Sequence, residues 1–399
     1  MKIVINGYYG VKNLGDDYIL YALLKSFKKK DFRSFEITIL ADGSHFEEFY
    51  RLFPKIKFNV IYLNEKKNFM NYLKKIKCRI FAFFKADMYL LGGGGLFPND
   101  SFISYLKVLA DIILCKFLGV KIIQVYGIDL CDIRKKISKW IWRQICKRAV
   151  YINFRNKFSY DLVHEFYPSE KVTYFPDITF SLTTDIERKN FSLENIIAEK
   201  NIKENNYIIW ALANPWSDRE MKDAYIGHRY EKLCLHISGI CNYCAELGYI
   251  NVFLPFFHLS DCNLINDIVP CLKSSYYVCE ENALKLSQKR ALFKYAKACV
   301  SMRFHGVAFS LYHGIPVAAI AYAPKTSKLL EEYGLSEYCT KFGIRKTSGF
   351  FEEFDLDMRE LNRIIDLAVK VNDKELFECI SLRLKKEAAI NEKRMLSYL

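Results

Sequence analysis

No stretch of the 399-residue sequence is both long and apolar enough to cross a bilayer. The longest apolar run, Phe102 to Ile128, is interrupted by Lys107, Asp111, Lys116 and Lys121, which a hydrocarbon core would not accept. A secretory leader is missing too: "MKIVING" is too short for a leader's apolar segment and reads as a first strand, so a cytoplasmic protein is expected. The thirteen cysteines are odd in number and lack the spacing of a disulfide framework, which a chain this long does not need, so reduced thiols are expected. "CNYC" at Cys241 to Cys244 is a lone C-x-x-C in a helix-like run. With no second pair to complete a zinc site, it reads as two buried small hydrophobes. Internal repeats, low-complexity tracts and a cluster of metal ligands are also missing. So are a nucleic-acid-binding module and the interleaved basic and aromatic stripe that would replace one.

Acidic residues are in deficit. Lys and Arg total 59 against 45 Asp and Glu, a net charge of +14, which points to an anionic partner: nucleic acid, an acidic small molecule or an anionic membrane leaflet. Apolar residues make up 51% and charged ones 26%, the balance of a globular protein, and the length suits two domains. One segment narrows the choice of partner. In "IRKKISKWIWRQICKRAVYI", residues 133–152, Ile133, Ile137, Trp140, Ile141 and Ile145 share a helical face. Arg134, Lys135, Lys136, Lys139, Arg143, Lys147 and Arg148 mostly lie off it. That is either a helix packed on a sheet with a solvated basic back, or a helix facing the inner surface of the membrane.

The remaining pattern alternates strand and helix. Strands are predicted at 2–6, 35–40, 87–91, 120–127 and 149–155, with a helix from about Asp17 to Lys29. The first half ends near "YFPDITFSL", residues 174–182. After a polar stretch the alternation restarts with strands at 207–213, 251–256, 276–280, 298–302 and 316–322 and a helix from about Arg229 to Leu247. Alternation of this kind predicts parallel sheets covered by helices on both faces. The expected organisation is an α/β chain of two Rossmann-like domains facing across a cleft: 1–185, a linker at 186–206, 207–355, and C-terminal helices over 356–399.

Three motifs sit where this pattern places ligands, outside the carboxyl ends of parallel strands. In "SMRFHGVAFSLYHGIPVAAIAYAPK", residues 301–325, a strand feeds a helix that stops at Gly314, so Arg303 and His305 lie at the helix start. Free N–H groups and the helix dipole favour an anion there, and a guanidinium is shaped for carboxylate or phosphate. Lys325 follows the next strand on the same edge. Each residue alone has a structural explanation, but three cationic groups at two consecutive strand ends suit a substrate with more than one negative charge. His313, at the far end of the helix, is read as capping its dipole.

"NGYYGVKNLGDDYIL", residues 6–20, spaces Gly7, Gly10 and Gly15 too widely for a dinucleotide loop. Asp16 and Asp17 at the helix start would repel phosphate, so Gly10, Asn13, Gly15, Asp16 and Asp17 suit a hydroxyl-rich ligand, helix capping being the alternative. "LLGGGGLFPND" sets Gly92, Gly93, Gly94 and Gly95 at a strand end, which lets backbone approach a ligand, and Asp100 beyond them could accept a hydroxyl proton.

Taken together, the three motifs resemble the polysaccharide pyruvyl transferase family: its Gly…Asn-x-Gly-Asp loop, its triple-Gly strand end, and its Arg-x-His helix followed by Gly-x-Pro and a Lys. The resemblance runs in order over about residues 3–335. It implies a fold like the GT-B glycosyltransferases. It also implies transfer of a pyruvyl group from phosphoenolpyruvate to a sugar of a cell-surface polysaccharide or its lipid-linked precursor, with no cofactor or metal. Three places depart from the family pattern. Asn156 stands where an Asp is usual, "YGIDLCD" (126–132) lacks a Gly-Pro, and "WALANPW" (210–216), with Asn214, lacks an arginine. In the implied chemistry His305 is the candidate to protonate the donor's methylene carbon, a hydrogen bond to its phosphate being the alternative role, Arg303 and Lys325 grip its charges, and Asp16 or Asp100 is the base for the sugar hydroxyl. A helix start and a nearby guanidinium favour neutral imidazole while a bound dianion favours the protonated form, which couples His305 protonation to donor binding. A GT-B glycosyltransferase using a nucleotide sugar and a non-catalytic membrane-surface protein are the alternatives.

Overall fold

The structure is a computed structural model and describes residues 1–29, 35–62, 69–97, 100–130, 132–182, 202–216, 220–280, 284–342, 356–370 and 373–399. Two compact units account for the chain: Met1–Leu182 with Lys386–Leu399, and Thr183–Lys385. Most of the predicted linker, 186–201, lies outside the described residues, while Ile202 to Asn206 belong to the second unit.

The first unit is built on a seven-stranded sheet, all pairings parallel, in the order β3-β2-β1-β4-β5-β6-β7. Its strands are β1 (Lys2–Asn6), β2 (Glu36–Ala41), β3 (Lys57–Tyr62), β4 (Met88–Phe97), β5 (Ile122–Leu130), β6 (Tyr151–Phe154) and β7 (Val172–Tyr174). Between them run α1 (Leu14–Lys29), α2 (Glu47–Leu52), α3 (Phe69–Phe83), α4 (Phe102–Phe117), α5 (Lys136–Arg148) and α6 (Lys157–His164). The central strands are apolar runs because helices cover both faces: Ile3, Val4 and Ile5 of β1 are fully buried.

The second unit repeats the scheme with a six-stranded parallel sheet, β10-β9-β8-β11-β12-β13. Here β8 is Tyr207–Ala211, β9 Ile250–Phe253, β10 Tyr276–Val278, β11 Ala298–Ser301, β12 Val317–Ala321 and β13 Cys339–Lys341. The helices are α7 (Ala224–Glu246), α8 (His258–Ile268), α9 (Leu286–Tyr295), α10 (Phe304–His313), α11 (Pro324–Glu332), α12 (Met358–Lys370) and α13 (Lys374–Leu396). In both sheets the strand order reverses once, between β1 and β4 and between β8 and β11, and such reversals open a crevice at the carboxyl ends of the strands.

Several expectations are refined. α1 starts at Leu14, three residues earlier than predicted, because Asn13 begins it: its Oδ1 accepts from Gly15 N at 3.2 Å and its carbonyl from Asp17 N at 2.9 Å. The apolar face expected over 133–152 is split. Ile133, Ile141, Trp142 and Ile145 are buried, whereas Ile137 and Trp140 are about half exposed, since the inward stripe is centred on Ser138, Ile141, Trp142 and Ile145. Lys386–Leu399, inside the stretch expected as separate C-terminal helices, group with the first unit. There Asn391 accepts from the Tyr151 hydroxyl at 2.7 Å, Gln124 donates to the Met395 carbonyl at 3.0 Å, and Glu392 pairs with Lys29 at 2.8 Å. Cys241 and Cys244 are buried in α7, where burial first, then Asp366, pushes the Cys244 thiol up to about 12, the behaviour of small hydrophobes.

Candidate functional site

At the carboxyl edge of the second sheet, β11 ends at Ser301 and α10 begins at Phe304, with Arg303 as its N-cap residue. The junction is tight because of Gly306. A Cβ there would lie 2.2 Å from Ser301 Oγ and 2.8 Å from Ala211 Cβ, so only glycine lets the first turn of α10 settle on the ends of β8 and β11. Ser301 Oγ adds a hydrogen bond to the Arg303 carbonyl at 2.7 Å. The sequence reading did not single out Gly306.

Arg303 is anchored rather than idle. Its Nε donates to Asp261 Oδ2 at 3.1 Å, and its Nη2 donates to Asp261 Oδ1 and to Ser260 Oγ at 3.2 Å. Burial opposes the charge, but Tyr322 and Asp261 outweigh it and hold the Arg303 pKa above its ordinary value. Asp261, in the first turn of α8, is fully buried and also accepts from the backbone N–H of Phe256 (3.1 Å) and Phe257 (2.8 Å). The guanidinium therefore has a fixed position, with 19% of the side chain still exposed.

His305 is partly exposed, between the rings of Phe304 (5.3 Å) and Phe309 (6.1 Å). Lys325, in the first turn of α11 just past β12, places its Nζ 5.8 Å from the centre of the Phe304 ring. Phe304 is thus flanked in sequence by Arg303 and His305 and capped in space by Lys325. The structure brings the three predicted residues to one edge of one sheet. His313 lies in the last turn of α10, as expected; burial first, then the charges of Arg290, Lys385 and Lys294, push its pKa well below the ordinary histidine value.

The first unit carries the other predicted residues. Asp16 is buried at the start of α1 and Asp17 is partly exposed beside it. The Gly10 carbonyl accepts from His45 N at 3.2 Å, tying the loop after β1 to the loop after β2. Asp42, at the end of β2, has its pKa raised by burial against the opposing pull of Arg79 and Lys75. Burial, Asp42 and Asp16 likewise raise that of the exposed Tyr8 hydroxyl. Carboxylates and a hydroxyl in this loop suit neutral hydroxyl groups better than phosphate.

The glycine run differs from expectation. Gly92 to Gly95 continue β4 rather than ending it, and the protein's own side chains occupy the space beside Gly92, Gly93 and Gly94. Tyr9 donates to the Gly92 carbonyl at 2.7 Å, and a Cβ on Gly94, whose φ is +90°, would lie 2.4 Å from Asp16 Oδ1. Gly95 is exposed. The missing side chains seat the start of α1 and hold Asp16 against the strand. Asp100 Oδ2 accepts from the backbone N–H of Arg134 and Lys135, both at 3.0 Å, and so closes the turn into α5, while its Oδ1 is buried without a hydrogen-bond partner.

The departures at Asn156 and Asn214 both have local partners. Asn156 Oδ1 caps α6 through Ser159 N (2.7 Å) while its Nδ2 donates to Asp129 Oδ1 (2.6 Å). Asp129 and Asp177 are both paired with the fully buried Arg155, a network the sequence reading missed because its members lie 22 and 26 residues from the arginine. Asn214 Oδ1 accepts from Trp216 N at 3.0 Å, closing the turn after β8.

A model of the polysaccharide pyruvyl transferase family matches residues 13–324. No curated protein sequence matches the chain. Among solved structures, the UDP-GlcNAc 2-epimerase of Methanocaldococcus jannaschii is similar at a TM-score of 0.62 and 13% identity, covering 100% of this chain and 99% of that one. The Anabaena protein HepE in complex with UDP and glucose aligns at a TM-score of 0.57 and 12% identity, covering 100% of both chains. A glycosyltransferase from Rickettsia africae aligns at 0.57 and 10%, covering 100% and 96%. These likenesses establish the fold class, two parallel-sheet units of the GT-B-like kind.

Proposed function

The chain belongs to the polysaccharide pyruvyl transferase family, and we propose on that footing that it transfers a pyruvyl group from phosphoenolpyruvate to a sugar of a cell-surface polysaccharide or its lipid-linked precursor. The observation that carries this reading is the meeting of Arg303, His305 and Lys325 at the strand ends of the second sheet, two of them beside its reversal point. Phosphoenolpyruvate offers a carboxylate and a phosphate. A guanidinium already fixed by Asp261 and an ammonium on the next helix start supply matching charge without the cost of ordering a free arginine.

The reaction balances as follows. A proton from His305 goes to the methylene carbon, which becomes a methyl group, and the cation develops on the carbon that carries the phosphate. The first sugar hydroxyl adds there and gives up its proton. The C–O bond to phosphate breaks with its electron pair leaving on the phosphate, and a second hydroxyl adds to close the ketal and gives up its proton; of the two hydroxyl protons released, one restores His305 and the other leaves on inorganic phosphate. We assign sugar-hydroxyl recognition to the first unit's Asn13–Asp17 loop.

The test is phosphate release from phosphoenolpyruvate over a panel of lipid-linked and nucleotide-linked sugars. Acceptor-dependent phosphate release with a matching mass gain on the acceptor supports the proposal. Nucleotide release from a sugar nucleotide, without phosphate release, would favour the second reading, a nucleotide-sugar enzyme. That reading draws support from fold likeness to a UDP-GlcNAc 2-epimerase and to a protein in complex with UDP and glucose. A purely binding role at a membrane leaves the Arg303, His305 and Lys325 arrangement without a purpose.

A further inference from the structure

Helices α3, α4 and α5 follow β3, β4 and β5, and right-handed crossovers place them on one face of the first sheet, with α4 packed against both neighbours. A helix lying on a sheet hides one apolar stripe and shows water a polar one. α4 does not. It buries Tyr105, Val108, Leu109, Ile112 and Cys115, and carries a second apolar stripe outward. Ile103, Leu106, Ala110, Ile113 and Phe117 recur at steps of three and four and are all exposed, Phe117 by 86%. On α3, Phe81 is 74% exposed, and Phe84 just past its end is also exposed. α5 adds Trp140, half exposed, while Trp142 fills the core. Scattered exposed hydrophobes need no explanation, but aromatic and aliphatic side chains shown by three neighbouring helices mark a surface that meets something.

Charge identifies what it meets. The three helices contain one acidic residue, Asp111, which is buried and paired with Arg79. Their exposed charges, among them Lys77, Lys107, Lys116, Lys136 and Arg143, are all positive. Cations also stand over the exposed rings: Lys2 is 5.6 Å from the centre of Phe81, Lys85 5.4 Å from Phe84, and Lys135 5.8 Å from Phe102. A second copy of this face would set cations against cations. An acidic peptide would answer the charge but leave most of the apolar breadth in water. A bilayer with anionic headgroups answers both, taking the rings at the acyl boundary and the lysines at the phosphates. Among the described residues no helix is long and apolar enough to cross a membrane, so the contact is with its surface.

We propose that the outer face of α3, α4 and α5 docks on an anionic phospholipid surface. The segment marked in the sequence, α5, is one edge of that face, and α4 is its centre. The inference is independent of the reaction proposed above.

The full chain is sedimented with vesicles of phosphatidylglycerol and phosphatidylcholine, and with phosphatidylcholine alone. Binding to the anionic vesicles at least ten-fold above the neutral ones, weakened by high salt, is expected. Phe81→Ser with Phe117→Ser, and separately Lys77→Glu with Lys107→Glu, each lower that binding at least ten-fold while the melting temperature stays near that of the parent. Equal binding to both vesicle types, or binding indifferent to both variant pairs, overturns the proposal. So does a concentration-dependent dimer that the Phe pair abolishes in a chain that never binds vesicles.

Discussion

Arg303 and Asp261 form a fork-to-carboxylate pair across 42 residues of sequence, the acid fully buried and the guanidinium partly open. The acid is as well satisfied as a structural carboxylate can be, with two backbone N–H groups and Ser260 also bound to it. The pair is both a structural lock and a way of aiming a cation.

Asp261→Asn should therefore destabilise the second unit by about 3 kcal/mol, because one partner of a buried pair is left behind. It should also raise the KM for phosphoenolpyruvate more than it lowers kcat. Arg303→Lys should do the same, since one ammonium cannot span both carboxylate oxygens. Urea melts and steady-state phosphate release measure the two effects. An Asp261→Asn protein with lost stability but unchanged KM would make the pair structural only.

His305→Ala should cost about 10²- to 10⁴-fold in turnover, the usual worth of a positioned acid, with little change in melting temperature. Lys325→Ala should act mainly on KM for the donor. Near-normal turnover in His305→Ala would remove the imidazole from the acid role.

Asn156→Asp would set a carboxylate 2.6 Å from Asp129 in a buried site where Asp177 already shares Arg155. Two carboxyl groups that close must share a proton, so one titrates with a raised pKa. The native state then holds a proton the unfolded chain has released, and stability falls as pH rises above about 4, costing about 2–4 kcal/mol near neutrality. Denaturant melts of both proteins from pH 5 to 8 check this, and parallel pH profiles would refute it.

His313 makes an opposite demand. Its pKa lies well below the ordinary value in the folded protein, so on acidification the unfolded chain takes up a proton that the native state does not. Stability should decline below about pH 6.5, by up to about 1.4 kcal/mol per pH unit from this group. His313→Gln should flatten the decline between pH 7 and 5.5. An unchanged slope would mean that the folded imidazole is charged.

The fold was legible where physics is local. Ile3–Ile5 and Val317–Ala321 are buried on both faces, so they read as uninterrupted apolar runs. β3, β7 and β13 were missed because they are short or half-solvated strands at sheet edges, where no such run is needed. Arg303, His305 and Lys325 could be placed on one edge because strand ends in a parallel sheet share a direction. Asp261 could not, since nothing near residue 261 announces a partner 42 positions away. The volume left empty at Gly92, Gly93 and Gly94 is taken by Tyr9, Ile19 and Asp16, neighbours that only packing reveals.

The first unit is not contiguous in the chain. Its Tyr151, Gln124 and Lys29 find their partners in Asn391, Met395 and Glu392, all beyond the second unit. During synthesis the N-terminal sheet emerges from the ribosome well before these residues exist. Until they arrive, a strip of it stays open to solvent or to chaperones. Expressing residues 1–182 alone would leave that strip uncovered for good.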